Sequence, residues 1–199
     1  MKVQDWPRLF VVDVEGNGIA RPDLVELAAV PVVGGEVDTA GTAAWLVRPP
    51  RPVTAGAARV HGLSNRLLAT RPPFARVEPE VRALLEGAWI CAHNARFDYD
   101  VLTRHLPGWR PPGVLDTLRL ARVCYPRATR HTLDALIRLT GVDVSGAPGR
   151  RHRAGYDAHA TARLLLAMAE RWAGWDEFAA VAVPPGLPGR PEPDHPTLW

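Results

Sequence analysis

The 199-residue sequence predicts an α/β domain, a mixed five-stranded sheet flanked by helices. Three observations predict it. The first third reads as consecutive β-segments joined by turn residues, an antiparallel arrangement. From Trp89 onward, short apolar segments of strand length alternate with helical stretches, which calls for parallel neighbours. A long amphipathic stretch over 157–172 then supplies a helix to cover one sheet face.

Residues 9–18, LFVVDVEGNG, organise the chain. Their first half is short, apolar and rich in Val and Phe, a buried strand. Gly16-Asn17-Gly18 is a turn, by the tolerance of Gly and Asn for positive φ. Residues 24–33 and 37–47 read as the second and third strands, with Gly34-Gly35 as the hairpin between them. Pro31 has no N–H, so the second strand lies at an edge or is bulged there. Residues 48–52, RPPRP, form an extended connector. Helices are expected over 55–61, 64–69 with Ser64 as N-cap, and 74–85. Residues 89–92 and 113–116 are the two remaining strands. Each opens into a helix, over 95–106 and 117–125 respectively. A further helix over 132–140 stops at Gly141. Residues 145–151 are a loop before the last helix.

Composition narrows the function. Hydrophobic residues make up 47% and charged residues 23%, with a net charge of +3, which suits a globular protein and tolerates a nucleic-acid partner. Lys2 is the sole lysine, so the basic excess is arginine. No apolar run has the length of a membrane span or a secretory signal, which excludes a membrane partner. Cys91 and Cys124 are too few for a disulfide framework or a zinc site and fit a reducing, cytoplasmic setting. The folded unit is expected to occupy residues 1–182. Six of the last seventeen residues, 183–199, are proline, a tail without periodicity that is either mobile or hugs the surface.

Strand alternation puts Phe10, Val12 and Val14 on one face and Val11, Asp13 and Glu15 on the other. Two carboxylates therefore leave a hydrophobic strand side by side, about 6–7 Å apart at Cα. They are either solvated acids or ligands of a divalent cation. Two more acids stand where a helix should be apolar. Asp98 continues the stripe of Val101, Leu102 and His105, and Asp157 that of Ala160, Leu164 and Met168. Each lies in a first helical turn, where capping alone also favours an acid. Together Asp13, Glu15, Asp98 and Asp157 converge on one end of the sheet, and four clustered carboxylates require cations. Oxygen-only ligands favour Mg²⁺ or Mn²⁺, and two such ions suit phosphodiester chemistry. His152, five residues before Asp157, is placed to accept a proton from an attacking water. The arginines at 127, 130, 150, 151 and 153 either grip phosphates or belong to solvated loops.

Three motifs in order carry a resemblance: Asp-Val-Glu at 13–15, His-Asn-Ala-Arg-Phe-Asp at 93–98 and His-Arg-Ala-Gly-Tyr-Asp at 152–157. They resemble the DEDDh 3′–5′ exonucleases, the family of the proofreading epsilon subunit of bacterial DNA polymerase III, RNase T and oligoribonuclease. The branch with Tyr four residues before the last Asp is excluded, because that position is Arg153. The resemblance implies an RNase H-like exonuclease fold and release of 5′-mononucleotides from the 3′ end of DNA or RNA, with single strands favoured. It implies that Asp13 bridges two ions, that Glu15 and Asp157 complete one site and Asp98 the other, and that His152 is the general base. It further implies that Gly16, Asn17, His61, Leu63 and Phe97 hold the terminal nucleotide. Many members carry Thr residues where this chain has Gly16-Asn17-Gly18, so its sugar contacts differ. The rival readings are a proofreading or repair subunit tethered to a polymerase and a non-catalytic nucleic-acid-binding module; the intact acidic set and His152 oppose the second.

Overall fold

The computed structural model describes residues 6–189. β1 (Leu9–Gly16), β2 (Leu24–Val33), β3 (Glu36–Val37), β4 (Ala43–Leu46), β5 (Trp89–Ala92) and β6 (Val114–Asp116) form one mixed sheet. Its order is β3-β2-β1-β5-β6, with β4 also paired to β2. β1 and β2 are antiparallel, whereas β5 and β6 run parallel to β1. The chain has the expected α/β architecture with one strand more than expected.

The extra strand comes from a break in the expected third one. Asp38 Oδ1 accepts the Gly41 amide at 2.9 Å, and Thr39 N–H bonds Val37 O at 3.1 Å. These local bonds compete with the ladder, as Asp and Thr side chains do at turns. The break falls opposite Pro31. β4 pairs with β2 as far as Ala29 and β3 pairs from Val32. In a strand the N–H and C=O of one residue point to the same side, and Pro31 O accepts Asp38 N–H on this side. The missing proline donor therefore faces the gap.

Eight helices cover the sheet among the described residues: α1 (Ala55–His61), α2 (Asn65–Leu68), α3 (Phe74–Leu85), α4 (Arg96–His105), α5 (Thr117–Cys124), α6 (Leu133–Thr140), α7 (Ala154–Ala169) and α8 (Trp175–Ala182). Phe10, Val12 and Val14 pack with Val81, Leu85, Val101 and Leu102 of α3 and α4. Leu9 and Val11 pack on the other face with α5, α7 and α8. Ala154, Ala158 and Ala162, one helical turn apart, give α7 a small-residue stripe that lies close on the sheet. α7 begins three residues earlier than the sequence suggests. α8 was not anticipated, although Trp175, Phe178, Ala179 and Ala182 follow a helical period and the last three are buried.

An aromatic cluster closes the end of the sheet where β1 and β5 begin. Trp6 lies 5.3 Å from Trp175 and 5.3 Å from Phe178, and Trp89 lies 4.9 Å from Trp175. Gly113 and Gly189 press on the Trp89 ring so closely that a Cβ on Gly189 would stand 2.7 Å from it. Val114 N–H bonds Pro188 O at 3.0 Å. The described part of the proline-rich tail, 183–189, thus hugs the surface, with Val183 and Leu187 buried. Residues 190–199 of that tail lie outside the described residues. No helix of the described residues is long and apolar enough to cross a membrane.

Candidate active site

Asp13 and Glu15 leave β1 on the α7 side, and Asp157 meets them from the first turn of α7. One carboxylate oxygen from each of the three lies within 4.8 Å of the others. Asp98 arrives from the first turn of α4 and is buried. β5 pairs with β1 only from Leu9 to Val11, so the Val14 amide has no partner strand on that flank. Asp98 Oδ1 accepts that amide at 2.9 Å, which brings the fourth acid to the strand end.

The electrostatics are those of a crowded cluster. Burial raises the Asp13 carboxyl well above the ordinary range, and the charges of Asp98, Glu15, Asp157 and Glu26 push it further. Burial, then Asp157 and Glu26, lift Glu15 to about 7, with Arg153 working the other way. Burial also raises Asp98 against the opposing Val14 hydrogen bond. Asp157 is raised by burial, which outweighs its neighbour His152. Without a cation these groups keep protons that free carboxylates would release. The donor set is all carboxylate oxygen, which fits a hard divalent cation such as Mg²⁺ or Mn²⁺.

His152 is exposed, on the turn just before α7, and its backbone takes φ 58°. That is the left-handed region, which costs a non-glycine residue roughly 1–2 kcal/mol. The turn is held from four sides. His152 N–H bonds Asp157 Oδ2 at 3.1 Å. Arg150 Nη2 donates to His61 O at 3.3 Å, and Arg151 pairs with Asp134 of α6. Arg153 forks onto Glu26 of β2, at 2.9 Å from Nε and 2.7 Å from Nη2, and Ala154 N–H joins the same carboxylate at 3.1 Å. Three of the five arginines considered for phosphates therefore hold the His152 turn instead. The role of Glu26 escaped sequence reasoning, although an acid inside LVELAAVPVV was its signal.

Around the strand end the expected nucleotide contacts divide. Gly16 touches Pro22, and a Cβ there would stand 2.7 Å from Pro22 Cβ and 3.7 Å from the Phe97 ring tip. Phe97 is 41% exposed despite its size. His61 is buried, and its Nδ1 accepts Leu63 N–H at 3.0 Å. The other nitrogen, Nε2, has no hydrogen-bond partner. Burial lowers the His61 pKa, with the Gly16 carbonyl acting the other way.

Asn17 and Leu63 are corrections. Asn17 is fully buried; its amide group bonds Asp23 Oδ2 and Arg51 O, and its Oδ1 accepts Asp23 N–H. Its backbone N–H and C=O are also taken, by Asp23 and Thr54. Asn17 thus ties the turn together and has no group left for a nucleotide. Leu63 is 1% exposed and packs with Val25, Val53 and Leu68, so it supports the pocket from beneath.

His93 and Asn94 shape the next turn. His93 joins Thr117 Oγ1 and His131 O, each at 2.9 Å. Asn94 has φ 70°, and its N–H bonds Asp116 Oδ1 at 3.1 Å. Asp116 also accepts the amides of Leu118 and Arg119 and so caps α5.

The chain is similar to known proteins over most of its length. Residues 10–165 match the family model described as Exonuclease, RNase_T. The chain is 37% identical over 183 residues to a DNA polymerase III subunit epsilon-like protein of Rhodobacter capsulatus, covering 86% of this chain and 25% of that protein. It is 32% identical to Exodeoxyribonuclease 10 of Escherichia coli, covering 90% of this chain and 77% of that one. The solved structure of exonuclease X in complex with 5′ overhanging duplex DNA superposes with a TM-score of 0.73 at 31% identity, over 87% of this chain and 98% of that one. The chain spans about a quarter of the Rhodobacter protein and about three quarters of the Escherichia coli one.

Proposed function

The chain belongs to the RNase_T exonuclease family, and on that premise we propose that it is a DEDDh-type enzyme releasing 5′-mononucleotides from the 3′ end of DNA or RNA. One observation carries the reading: three carboxylates within 4.8 Å, with the raised, buried Asp98 beside them and His152 tied to the nearest acid. Two bound Mg²⁺ or Mn²⁺ ions would supply positive charge to the scissile phosphate and acidify the attacking water. Asp13 would hold both ions, Glu15 and Asp157 one of them, and Asp98 the other. His152 would take the proton of the water. Gly16 and Phe97 would receive the terminal nucleotide, with the buried His61 supporting the Gly16 carbonyl from beneath.

The exonuclease-X complex contains duplex DNA with a 5′ overhang, and one relative is named for a polymerase subunit. Both belong to those proteins. For this chain we favour a single-stranded 3′ end as substrate, presented alone or by a polymerase or repair partner, in the cytoplasm. The proposal treats residues 1–182 as the nuclease and 183–199 as its tail.

Labelled ssDNA, dsDNA and short RNA with Mg²⁺ or Mn²⁺ test the reading. The expected products are 5′-mononucleotides, and a 3′-phosphate blocks release while a 5′-phosphate does not. Cutting of a closed circular single strand would make the enzyme an endonuclease.

A further inference from the structure

A pocket of about 470 Å³ opens at the turn that follows β5, among His93, Asn94, Arg122, Thr129, Arg130 and Thr132. It lies past the carboxyl ends of β5 and β6, the end of an open α/β sheet where ligands bind. Its walls are fixed. His93 bonds the His131 carbonyl, and Asn94 O accepts Phe97 N–H at 3.1 Å. The pocket therefore adjoins the backbone at the start of α4, the helix that carries Phe97 and Asp98.

Its charge is positive and available. No carboxylate lines it. Arg122 and Arg130 are exposed and make no hydrogen bond or ion pair among the described residues, and the Thr132 side chain caps no amide. At the carboxylate site and in the larger cleft the arginines are engaged. Arg150, Arg151 and Arg153 hold the His152 turn. In a larger cleft of about 780 Å³ on the other flank, Arg48, Arg82 and Arg104 each donate to a main-chain carbonyl.

We infer that this pocket is an upstream subsite, in which Arg122 and Arg130 hold a phosphate of the strand behind the nucleotide being removed. The inference rests on the exonuclease reading of the carboxylate site. Guanidinium groups without carboxylate partners match a phosphodiester. A strand whose end lies at Phe97 passes the Asn94 turn next, which favours nucleic acid over an acidic protein segment.

Fluorescence anisotropy of 5′-fluorescein hexathymidylate in Ca²⁺ reads binding without turnover. Arg122→Gln with Arg130→Gln should weaken binding roughly two- to thirtyfold, as for two exposed charge pairs. It should also flatten the log–log salt slope by about 1–2. Arg76→Gln with Arg110→Gln removes two charges elsewhere and should change neither. With Mn²⁺, the ratio of KM for the hexamer to KM for a dinucleotide should rise in the first variant. Unchanged affinity and slope, equal loss in both variants, or no hexamer binding by the wild type would overturn the subsite. Competition by poly-glutamate as strong as by oligothymidylate would overturn it too, in favour of an acidic protein. Failure of the exonuclease reading has a different signature: no mononucleotide released by the wild type in Mn²⁺, whatever the anisotropy shows.

Discussion

Asp13 stands where burial and four neighbouring carboxylates all resist its ionisation. Its position has a cost without cations and a use with them. Asp13→Ala should abolish nucleotide release and leave the fold intact. In the wild type, Mn²⁺ at a hundred times its Kd should add about 2.7 kcal/mol of stability, and the variant should lose most of that gain in thermal melts. An active Asp13→Ala protein, or a wild type indifferent to Mn²⁺, would contradict the proposed metal roles. For His152 the backbone and the imidazole make separate predictions. His152→Ala should lower kcat by roughly 10²–10⁴-fold with Mn²⁺ affinity nearly unchanged. His152→Gly should relieve the left-handed strain, so it should melt no lower than wild type while remaining as slow as the Ala variant. Near-normal kcat in either, with chemistry rate-limiting, would mean that another group activates the water. Asp13 and Glu15 were legible because strand alternation alone puts them side by side. The reason Asp98 joins them was not: it depends on where β5 stops pairing and leaves the Val14 amide open. Asn17 was misjudged for a related cause. A turn asparagine reads alike in sequence whether its amide faces solvent or Asp23.

At the scale of elements, α7 and its preceding turn are fastened to β2 by one buried contact, Glu26 with Arg153. Glu26 is 5% exposed, and it satisfies both the guanidinium and the first amide of α7. Removing one partner strands the other. Glu26→Ala should cost about 2–3 kcal/mol in urea unfolding, below the full value for a buried pair because Arg153 remains partly exposed. Glu26→Ala with Arg153→Met should cost less than the sum of the single changes; strict additivity would show that the two do not act together. The order of strands and helices was readable from periodicity and turn residues. The split of the third strand was not, because it arises from Pro31 on the neighbouring strand, a non-local cause. α8 had its own period and was masked by the prolines that follow it.

The whole molecule carries two opposed responses to pH. Asp13, Glu15, Asp98 and Asp157 have folded-state pKa values above their unfolded ones, Glu15 near 7. The native protein therefore holds more protons than the unfolded chain as pH rises from the carboxylate range to about 7, and stability falls through that window. Asp23, lowered first by its Arg51 hydrogen bond, acts the other way, as do His61, His93 and His159, which burial lowers and whose contribution is lost as pH falls through the histidine range. In chelator the melting temperature should be lower at pH 8 than at pH 5, and Mn²⁺ should raise it far more at pH 8. A flat or rising profile in chelator would contradict the crowded-carboxylate picture. The aromatic cluster around Trp89 and Trp175 has a consequence of another kind. It gathers residue 6 and residue 189 at the sheet end remote from the carboxylates. A chain that enters and leaves a fold at one place can be spliced into a loop of a host protein without stretching either. Such an insert, placed in a surface loop of an unrelated carrier, should fold and keep its cleft facing outward, so that this nuclease can travel as a cassette.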